Sequence, residues 1–166
     1  MLNSQSRLCI QRDKFVKVKN EPASLHYQVV KKLGEGSYGS VYKVLCKLTR
    51  QERAMKIIRK SDVTDEENVF AELEVLKHLD HPNILKLYEV FEEEDFFYVL
   101  TEFCEGGEVL KSLKKHKNLN EKTVAQLMRQ LFGGLVYMHQ RNIVHRDLKL
   151  ENLLLVNAEQ KKVKGK

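Results

Sequence analysis

Eight consecutive residues, 145–152, constrain the fold and the chemistry of this chain more than any other feature of its sequence. They place a carboxylate (Asp147), an ammonium (Lys149) and an amide (Asn152) between a helix-like segment and the apolar run Leu153-Leu154-Leu155. Asp147 can orient an attacking hydroxyl, Lys149 can neutralise charge on a phosphoryl group in transfer, and Asn152 can offer an oxygen to Mg²⁺. A random polar loop would explain any one of these residues, whereas the whole octet predicts a phosphoryl-transfer site.

Size and composition indicate a globular protein without a disulfide framework. The 166 residues are 42% hydrophobic and 31% charged, which suits one domain or two small lobes that share a cleft. Cys9, Cys46 and Cys104 are odd in number and form no Cys-x-x-Cys pattern, which favours a reducing compartment over disulfides or a zinc site. We find no secretion signal and expect no membrane span, so we expect a cytoplasmic protein, with the nucleus as the other compartment that the sequence allows.

The basic charge of the chain does not indicate a particular partner. The formal net charge is +6 and the pI is about 9.1, which favours anionic partners in general. Because the Lys and Arg residues are spread along the chain and no stripe interleaves them with aromatic residues, we expect a basic, solvated surface and no nucleic-acid partner.

Periodicity divides the chain into three parts. Residues 1–25 are polar and basic, and we expect a mostly mobile extension in which Phe15 and Val16 are the candidates to dock on the domain. Residues 26–103 contain strand-like segments at 27–33, 40–48, 52–58, 84–91 and 96–103, and a helix that Thr64 and Glu67 would open as a capping box. Residues 104–166 contain helix-like segments at 108–116 and 121–140, followed by the octet. The sequence therefore predicts an α+β fold with a five-stranded antiparallel sheet and one helix in the first lobe, and a helical second lobe.

A glycine-rich turn, Gly34-x-Gly36-x-x-Gly39, lies between the first two strand-like segments. A dinucleotide fold would continue as a helix after these glycines, and a P-loop would continue with Lys and then Ser or Thr. Here the segment 41–44 continues as a strand. Two interpretations remain open: a flexible flap whose backbone amides can approach phosphates, or an ordinary tight hairpin.

The strand after this turn carries Ala54 and Lys56 on one face. A small residue leaves room for a flat ring, and an ammonium beside it can hold phosphate oxygens. An isolated lysine on a strand is usually just exposed, but Glu72 on the following helix is a candidate partner for Lys56. We expect such a pair to matter for positioning rather than for stability.

In this order and spacing, the three pieces resemble the eukaryotic-type protein kinases over about residues 26–164. The resemblance implies a bilobal protein-kinase-like fold with an incomplete helical C-lobe, ATP and Mg²⁺ as cofactors, and protein Ser/Thr hydroxyls near basic residues as acceptors. It implies catalytic roles for Asp147, Lys149, Lys56 and Glu72, and a metal-ligand role for Asn152. The nucleotide-binding positions that it implies are Leu33, Gly34, Glu35, Gly36, Ser37, Gly39, Val41, Ala54, Lys56, Thr101, Glu102, Cys104, Glu108 and Leu154.

The resemblance also assigns individual roles within the nucleotide site. Thr101 matches the gatekeeper, and the backbone of Glu102 and Cys104 matches the hinge that reads adenine. Glu108 matches the residue that contacts ribose or a basic peptide. Apolar walls around adenine are implied at Leu33, Val41, Ala54 and Leu154, and Arg146 matches the residue that grips a phosphorylated activation loop.

Within this family, three stretches resemble the calcium-dependent and calmodulin-dependent branch: 15–17, 79–84 and 105–108. No Asp-x-Asp-x-Asp-Gly calcium loop occurs in the sequence, so control by calcium or calmodulin would need residues outside it. The family's Asp-Phe-Gly segment should follow shortly after Val163-Lys164, but Gly165-Lys166 stands there instead. We therefore expect a kinase fragment that transfers phosphate poorly, and the alternative is a catalytically dead ATP-binding or regulatory module that acts through protein contacts.

Overall fold

The computed structural model of the protein describes residues 18–36, 39–115, 120–157 and 162–165. The predicted docking of Phe15 and Val16 and the turn residue Ser37 lie outside the described residues. Within the described ranges, none of the helices has the length and apolar character needed to cross a bilayer.

A six-stranded sheet forms the first part of the chain. Its strands are β1 (Val18–Lys19), β2 (Tyr27–Gly36), β3 (Gly39–Cys46), β4 (Glu52–Arg59), β5 (Leu87–Glu92) and β6 (Phe96–Glu102). They lie in the order β1-β5-β6-β4-β3-β2. Strands β2 to β6 are antiparallel, so the predicted five-stranded antiparallel sheet is confirmed. The sixth strand, β1, was not predicted and pairs in parallel with β5.

Residues 18–25 of the expected N-terminal extension form regular structure and contact the large sheet. After β1 the chain forms one helical turn, α1 (Ala23–His26), in which Ala23 is only 2% exposed. Lys19 Nζ lies 3.1 Å from Glu89 Oε1, and Ala23 N donates to Glu93 Oε1 at 3.2 Å. A two-residue strand and a single helical turn are too short to show a hydrophobic period. We call residues 18–26 the N-terminal strap.

The two faces of the large sheet bury different hydrophobic clusters. One cluster lies between the sheet and helix α2 (Glu66–His78). The helix contributes Phe70 and Leu73, and the strands contribute Ile58, Leu87, Val90, Phe97 and Val99. The opposite face, under the N-terminal strap, buries Ala23, Tyr27, Val44, Met55, Phe91 and Leu100. Burying a large apolar side chain contributes about 1.5–3 kcal/mol, so both the helix and the strap help to hold the sheet.

Helix α2 begins one residue later than the predicted capping box requires. Asp65 is the N-cap, and its carboxylate accepts a hydrogen bond from Asn68 N at 3.1 Å. Aspartate competes well with threonine for this position because its carboxylate also suits the positive end of the helix dipole. After His78 the buried Leu79 is extended, and the helix ends before the predicted stop at 81–83.

The second part of the chain is built from short strands and two helices. Its elements are β7 (Gly107–Glu108), α3 (Val109–Lys115), α4 (Glu121–His139), β8 (Leu153–Leu155) and β9 (Val163–Gly165). Strands β7, β8 and β9 form a three-stranded sheet in that order. The N-cap of α4 is Asn120, whose Oδ1 accepts from Thr123 N at 2.8 Å. The predicted helical second lobe is therefore present with a small sheet beside it.

Helix α4 packs one apolar stripe on its neighbours and exposes another to solvent. Leu127 and Leu131 pack against Val109, Leu153 and Val163, and Leu135 packs against Leu79 and Ile84. The exposed large apolar residues of α4 recur every fourth position: Val124, Met128, Phe132 and Val136. This spacing corresponds to one helix face.

Asn83, in the loop between α2 and β5, joins the two parts of the chain. Its Nδ2 donates to Val163 O at 2.9 Å and to Gln130 Oε1 at 3.2 Å. Its backbone oxygen accepts from Gly165 N at 2.9 Å, and Leu85 N donates to Gly165 O at 2.7 Å. This loop therefore contacts both α4 and β9, and it fixes the position of the large sheet over the second part of the chain.

Candidate active site

The glycine-rich turn joins two antiparallel strands, as the flap interpretation requires. Gly34 pairs with Val41 and Gly36 pairs with Gly39, so the hairpin register is continuous from Gly34 to the turn, after an irregularity between Lys32 and Gly34. Gly39 has φ +134°, and a Cβ there would lie 1.8 Å from Ile57 O. By contrast, a Cβ at Gly34 would meet no atom within 4 Å. Gly39 is therefore required for the packing of β3 on β4, whereas the open space at Gly34 is available to a ligand.

The strand register places several predicted nucleotide-binding residues side by side. Val41 lies opposite Lys56 on β4, and Ala54 lies opposite Thr101 on β6. Because directly opposed residues of neighbouring strands share a face, these four side chains line one surface of the sheet. Leu33, at the end of the same hairpin, is half exposed. The small Ala54 thus lies directly beside Thr101, and the space for a flat ring at this point stays a prediction.

The candidate pairing of Lys56 with Glu72 stays a prediction. Glu72 is exposed on α2. The neighbouring Leu73 is buried instead, in the cluster that contains Phe70 and Phe97. The rings of Phe70 and Phe97 pack edge to face with centroids 5.0 Å apart. Successive helical residues point about 100° apart, so the buried Leu73 and the exposed Glu72 lie on different parts of the α2 surface.

The hinge segment after β6 leaves a backbone donor available. Cys104 O accepts from Gly107 N at 3.1 Å, but Cys104 N donates to no residue that the structure describes. An amide of this kind is suited to the edge of a purine ring. Burial, followed by the charge of Glu102, raises the pKa of the Cys104 thiol to about 11. The side chain is therefore a neutral, unreactive part of the wall at physiological pH.

The floor of the predicted nucleotide site lies next to the hinge. Leu154 on β8 pairs with Glu108 on β7, so the implied adenine wall and the implied ribose contact are direct neighbours. Glu108 Oε2 lies 3.2 Å from Lys111 Nζ, one turn further along. Glu105 N donates to Val156 O at 2.9 Å, which ties the hinge to the end of β8.

The three polar residues of the octet lie together around Asp147. Lys149 Nζ is 2.8 Å from Asp147 Oδ2, and Asn152 Nδ2 donates to the same oxygen at 2.7 Å. Asn152 Nδ2 also donates to Asp147 O at 2.8 Å. The hydrogen bond from Lys149, and then the one from Asn152, holds the pKa of Asp147 below its ordinary value. The carboxylate is exposed, and it is ionised at neutral pH.

A strained turn positions Asp147. Arg146 has φ +63°, and Asp147 N donates to His145 O at 2.8 Å, two residues back. A three-residue turn with this φ is uncommon for a residue with a side chain. Strain of this kind costs about 1–3 kcal/mol and is concentrated at functional sites. No sequence signal predicts it, because arginine has no preference for the left-handed region.

Lys164 is the residue near this site that the sequence analysis did not assign. It is buried on β9, and its Nζ donates to Glu102 Oε2 at 2.5 Å across 62 residues of sequence. His145 lies next to β9: a Cβ at Gly165 would lie 3.8 Å from its Nε2, a buried atom that has no hydrogen-bond partner among the residues that the structure describes. The last described strand therefore lies between the hinge and the octet.

Comparison with known proteins identifies the family to which these features belong. Residues 27–164, which include the flap, the hinge and the octet, match the protein kinase domain. The chain belongs to the protein kinase family. The family generally uses ATP and Mg²⁺ and acts on proteins, and the α+β kinase-like fold that the sequence predicts is confirmed.

Several curated relatives of this kinase chain are calcium-dependent protein kinases. Calcium-dependent protein kinase 5 of Plasmodium falciparum (isolate 3D7) is 43% identical over 139 residues, which are 83% of this chain and 24% of that protein. The protein of the same name from Plasmodium berghei (strain Anka) is 45% identical over 127 residues, 76% of this chain and 23% of that protein. Calcium-dependent protein kinase 4 of Plasmodium falciparum is 39% identical over 156 residues, 92% of this chain and 30% of that protein. The predicted resemblance to this branch is confirmed, and the chain spans less than a third of the length of these relatives.

Asn152 is the candidate magnesium ligand of the kinase chain. Among the described residues, no group of three or more His, Cys, Asp or Glu side chains could hold a metal ion. The Nδ2 of Asn152 is engaged by Asp147, and its Oδ1 accepts no hydrogen bond from a described residue. A neutral amide oxygen suits Mg²⁺, which commonly binds one or two protein oxygens together with phosphates and water. The residues present therefore fit one protein ligand of such an ion.

Proposed function

We propose that this chain is part of a serine/threonine protein kinase that transfers the γ-phosphoryl group of ATP to Ser and Thr hydroxyls of proteins. The observation that supports the proposal best is the cluster of Lys149 and Asn152 around the ionised Asp147. Kinase-type phosphoryl transfer needs a carboxylate to orient the hydroxyl, a cation near the transferred group and an oxygen ligand for the metal. These three groups occur within six residues of the sequence.

Each residue of the cluster has a defined task in this proposal. Asp147 accepts a hydrogen bond from the incoming hydroxyl and aims its oxygen at the phosphorus. Because its pKa is lowered, Asp147 acts mainly by orientation and takes the proton late. The ammonium of Lys149, which contacts the Asp147 carboxylate, neutralises negative charge on the phosphoryl oxygens during transfer. A lysine at this position favours Ser/Thr over Tyr acceptors. Asn152 would hold the ion, which neutralises phosphate charge when bound.

The nucleotide is held by the opposite side of the cleft in the same proposal. The amide of Cys104 reads adenine between Ala54 and Leu154, while Lys56 and the backbone around Gly34 hold the phosphates. Protein acceptors with basic residues near the Ser or Thr remain the expected substrates, and Glu108 is the described acidic residue that we assign to them. Control by calcium or calmodulin would operate through residues outside this chain.

One observation favours a second candidate function, a regulatory module that binds ATP without turnover. Glu72, the residue that the resemblance assigns to the positioning of the nucleotide-binding lysine, is exposed on α2. A protein with this geometry can still bind a nucleotide through the hinge. It then acts through protein contacts, as the exposed apolar stripe of α4 would allow.

Calorimetry and a transfer assay on residues 1–166 separate these possibilities. Saturable heat with Mg-ATP that is lost on Lys56→Met would support nucleotide binding in the cleft. Slow transfer to a basic Ser/Thr peptide that is abolished by Asp147→Asn would support the kinase, whereas binding without any transfer would support the regulatory module. Turnover near the roughly 1–100 s⁻¹ of complete kinases would contradict the expected poor activity. No saturable heat in folded protein would refute both functions.

A further inference from the structure

We infer that Lys164 is a positioning residue: its ion pair with Glu102 sets how the hinge is placed relative to the phosphoryl-transfer octet. This inference rests on the proposed function, because it concerns how adenine binding at the hinge is coupled to phosphate binding at the octet. It assigns a role to a residue outside every motif of the sequence analysis. The supporting observations are the burial of the pair, its geometry and the connections of β9.

The Lys164–Glu102 pair is the least exposed ion pair among the described residues. The two side chains are 10% and 23% exposed, whereas those of the surface pair Lys86–Asp80 are 49% and 84% exposed. Lysine is almost never so buried unless it is paired. Breaking a buried pair leaves an uncompensated charge, so such a pair defines one geometry far more strictly than a surface pair does.

Strand β9 connects this pair to both sides of the cleft. Lys164 lies opposite Leu154 in the β8–β9 register, so the residue that holds Glu102 is paired with the floor of the adenine site. Strand β8 begins directly after Asn152, the candidate metal ligand. A displacement of β9 from Glu102 would therefore move Leu154 and Asn152 together.

The next residue of β9 continues the connection to the catalytic turn. Gly165 N donates to Asn83 O at 2.9 Å, and a Cβ at Gly165 would lie 3.8 Å from the buried Nε2 atom of His145. His145 is the first residue of the strained turn that carries Asp147. The ion pair thus lies at one end of a continuous series of contacts from the hinge through β9 to Asp147.

A purely structural ion pair would behave differently from a positioning pair. Loss of a structural pair lowers stability but weakens the binding of every nucleotide species equally. Loss of a positioning pair weakens Mg-ATP more than adenosine. Adenosine contacts the hinge and the neighbouring floor at Leu154, whereas Mg-ATP must also contact the octet. The ratio of the dissociation constants of adenosine and Mg-ATP therefore reports on positioning.

The test compares Lys164→Met with a matched control, Lys60→Met. Lys60 Nζ lies 2.8 Å from Glu92 Oε1, the side chains are 22% and 27% exposed, and neither residue belongs to the proposed site. By calorimetry, we expect Lys164→Met to reduce the adenosine-to-Mg-ATP ratio by about tenfold, a typical coupling for residues in one network. We expect Lys60→Met to leave the ratio unchanged and Lys164→Arg to restore most of it. An unchanged ratio in Lys164→Met would overturn the inference.

Hydrogen exchange without nucleotide tests the same inference independently of ATP binding. Lys164→Met should accelerate exchange of the Gly165 and Leu85 amides and also of the Asp147 amide, while Lys60→Met should not. Faster exchange confined to β9, with Asp147 unaffected, would overturn positioning of the catalytic turn. If Lys164→Met does not fold, Glu102→Gln and Lys164→Arg provide the same comparison. If the unaltered protein binds neither nucleotide, the proposed function fails, and the exchange data still decide whether Lys164 positions the octet.

Discussion

Replacing Gly39 by alanine should destabilise the protein far more than the same change at Gly34. At Gly39 the φ of +134° is strained for any residue with a side chain, which costs about 1–3 kcal/mol. The new Cβ would lie 1.8 Å from Ile57 O, a backbone atom that no rotamer change can move. Strands β3 and β4 would have to separate there, and each lost ladder hydrogen bond costs about 0.5–1.5 kcal/mol. We expect Gly39→Ala to lower the free energy of unfolding by about 2–5 kcal/mol.

Gly34→Ala is the matched control for this prediction. Its Cβ would meet no atom within 4 Å, and its φ lies outside the left-handed region, so stability should change by less than about 1 kcal/mol. The added methyl group would instead occupy the space assigned to phosphates, so Gly34→Ala should weaken Mg-ATP binding. Urea denaturation followed by circular dichroism measures both variants, since the chain has no tryptophan. Equal unfolding midpoints for the two variants would refute the reasoning about the β3–β4 contact.

Lys149→Met should raise the pKa of Asp147 towards its ordinary value, which an NMR titration of the carboxylate can measure. Because the folded-state pKa of Asp147 is lowered, the ionised carboxylate stabilises the folded loop at pH values above the ordinary pKa. This stabilisation is lost as the pH falls through the lowered pKa. Iodoacetamide at pH 7.5 should label Cys46 well before the buried Cys104, because hydrogen bonds from Thr49 lower the pKa of Cys46 and burial raises that of Cys104. Mass spectrometry of the labelled peptides measures the order, and the reverse order would contradict the prediction. Ala23→Asp should lower the free energy of unfolding by about 2–4 kcal/mol if the N-terminal strap is packed, and an unchanged denaturation midpoint would contradict that packing.

The sheet was predictable because each strand carries its own alternating pattern. Strands β2, β3, β4 and β6 begin and end within a few residues of the segments read from the sequence, and β5 begins later because Ile84 forms only an isolated bridge. Helix α4 was equally clear, since a 19-residue helix shows several turns of its period. The strap was missed because its elements are too short to repeat.

The candidate site was predictable in its composition but not in its geometry. Asp147, Lys149 and Asn152 are close in sequence, so their meeting in one loop needs no long-range contact. The partner of Lys164 lies 62 residues away in the sequence, and no local sequence pattern predicts an ion pair over that separation. The orientation of Glu72 depends on which face of α2 packs on the sheet, and the tertiary core decides this rather than the helix itself.

The burial of Leu73 has a consequence for how freely α2 can change its orientation. A rotation of α2 about its own axis that took Leu73 out of the core would expose a large apolar side chain. Exposing a leucine of this kind costs about 1.5–3 kcal/mol, which corresponds to a bias of roughly tenfold to a hundredfold against the rotated state. Leu73 therefore acts as an anchor that gives α2 one strongly preferred orientation on the sheet.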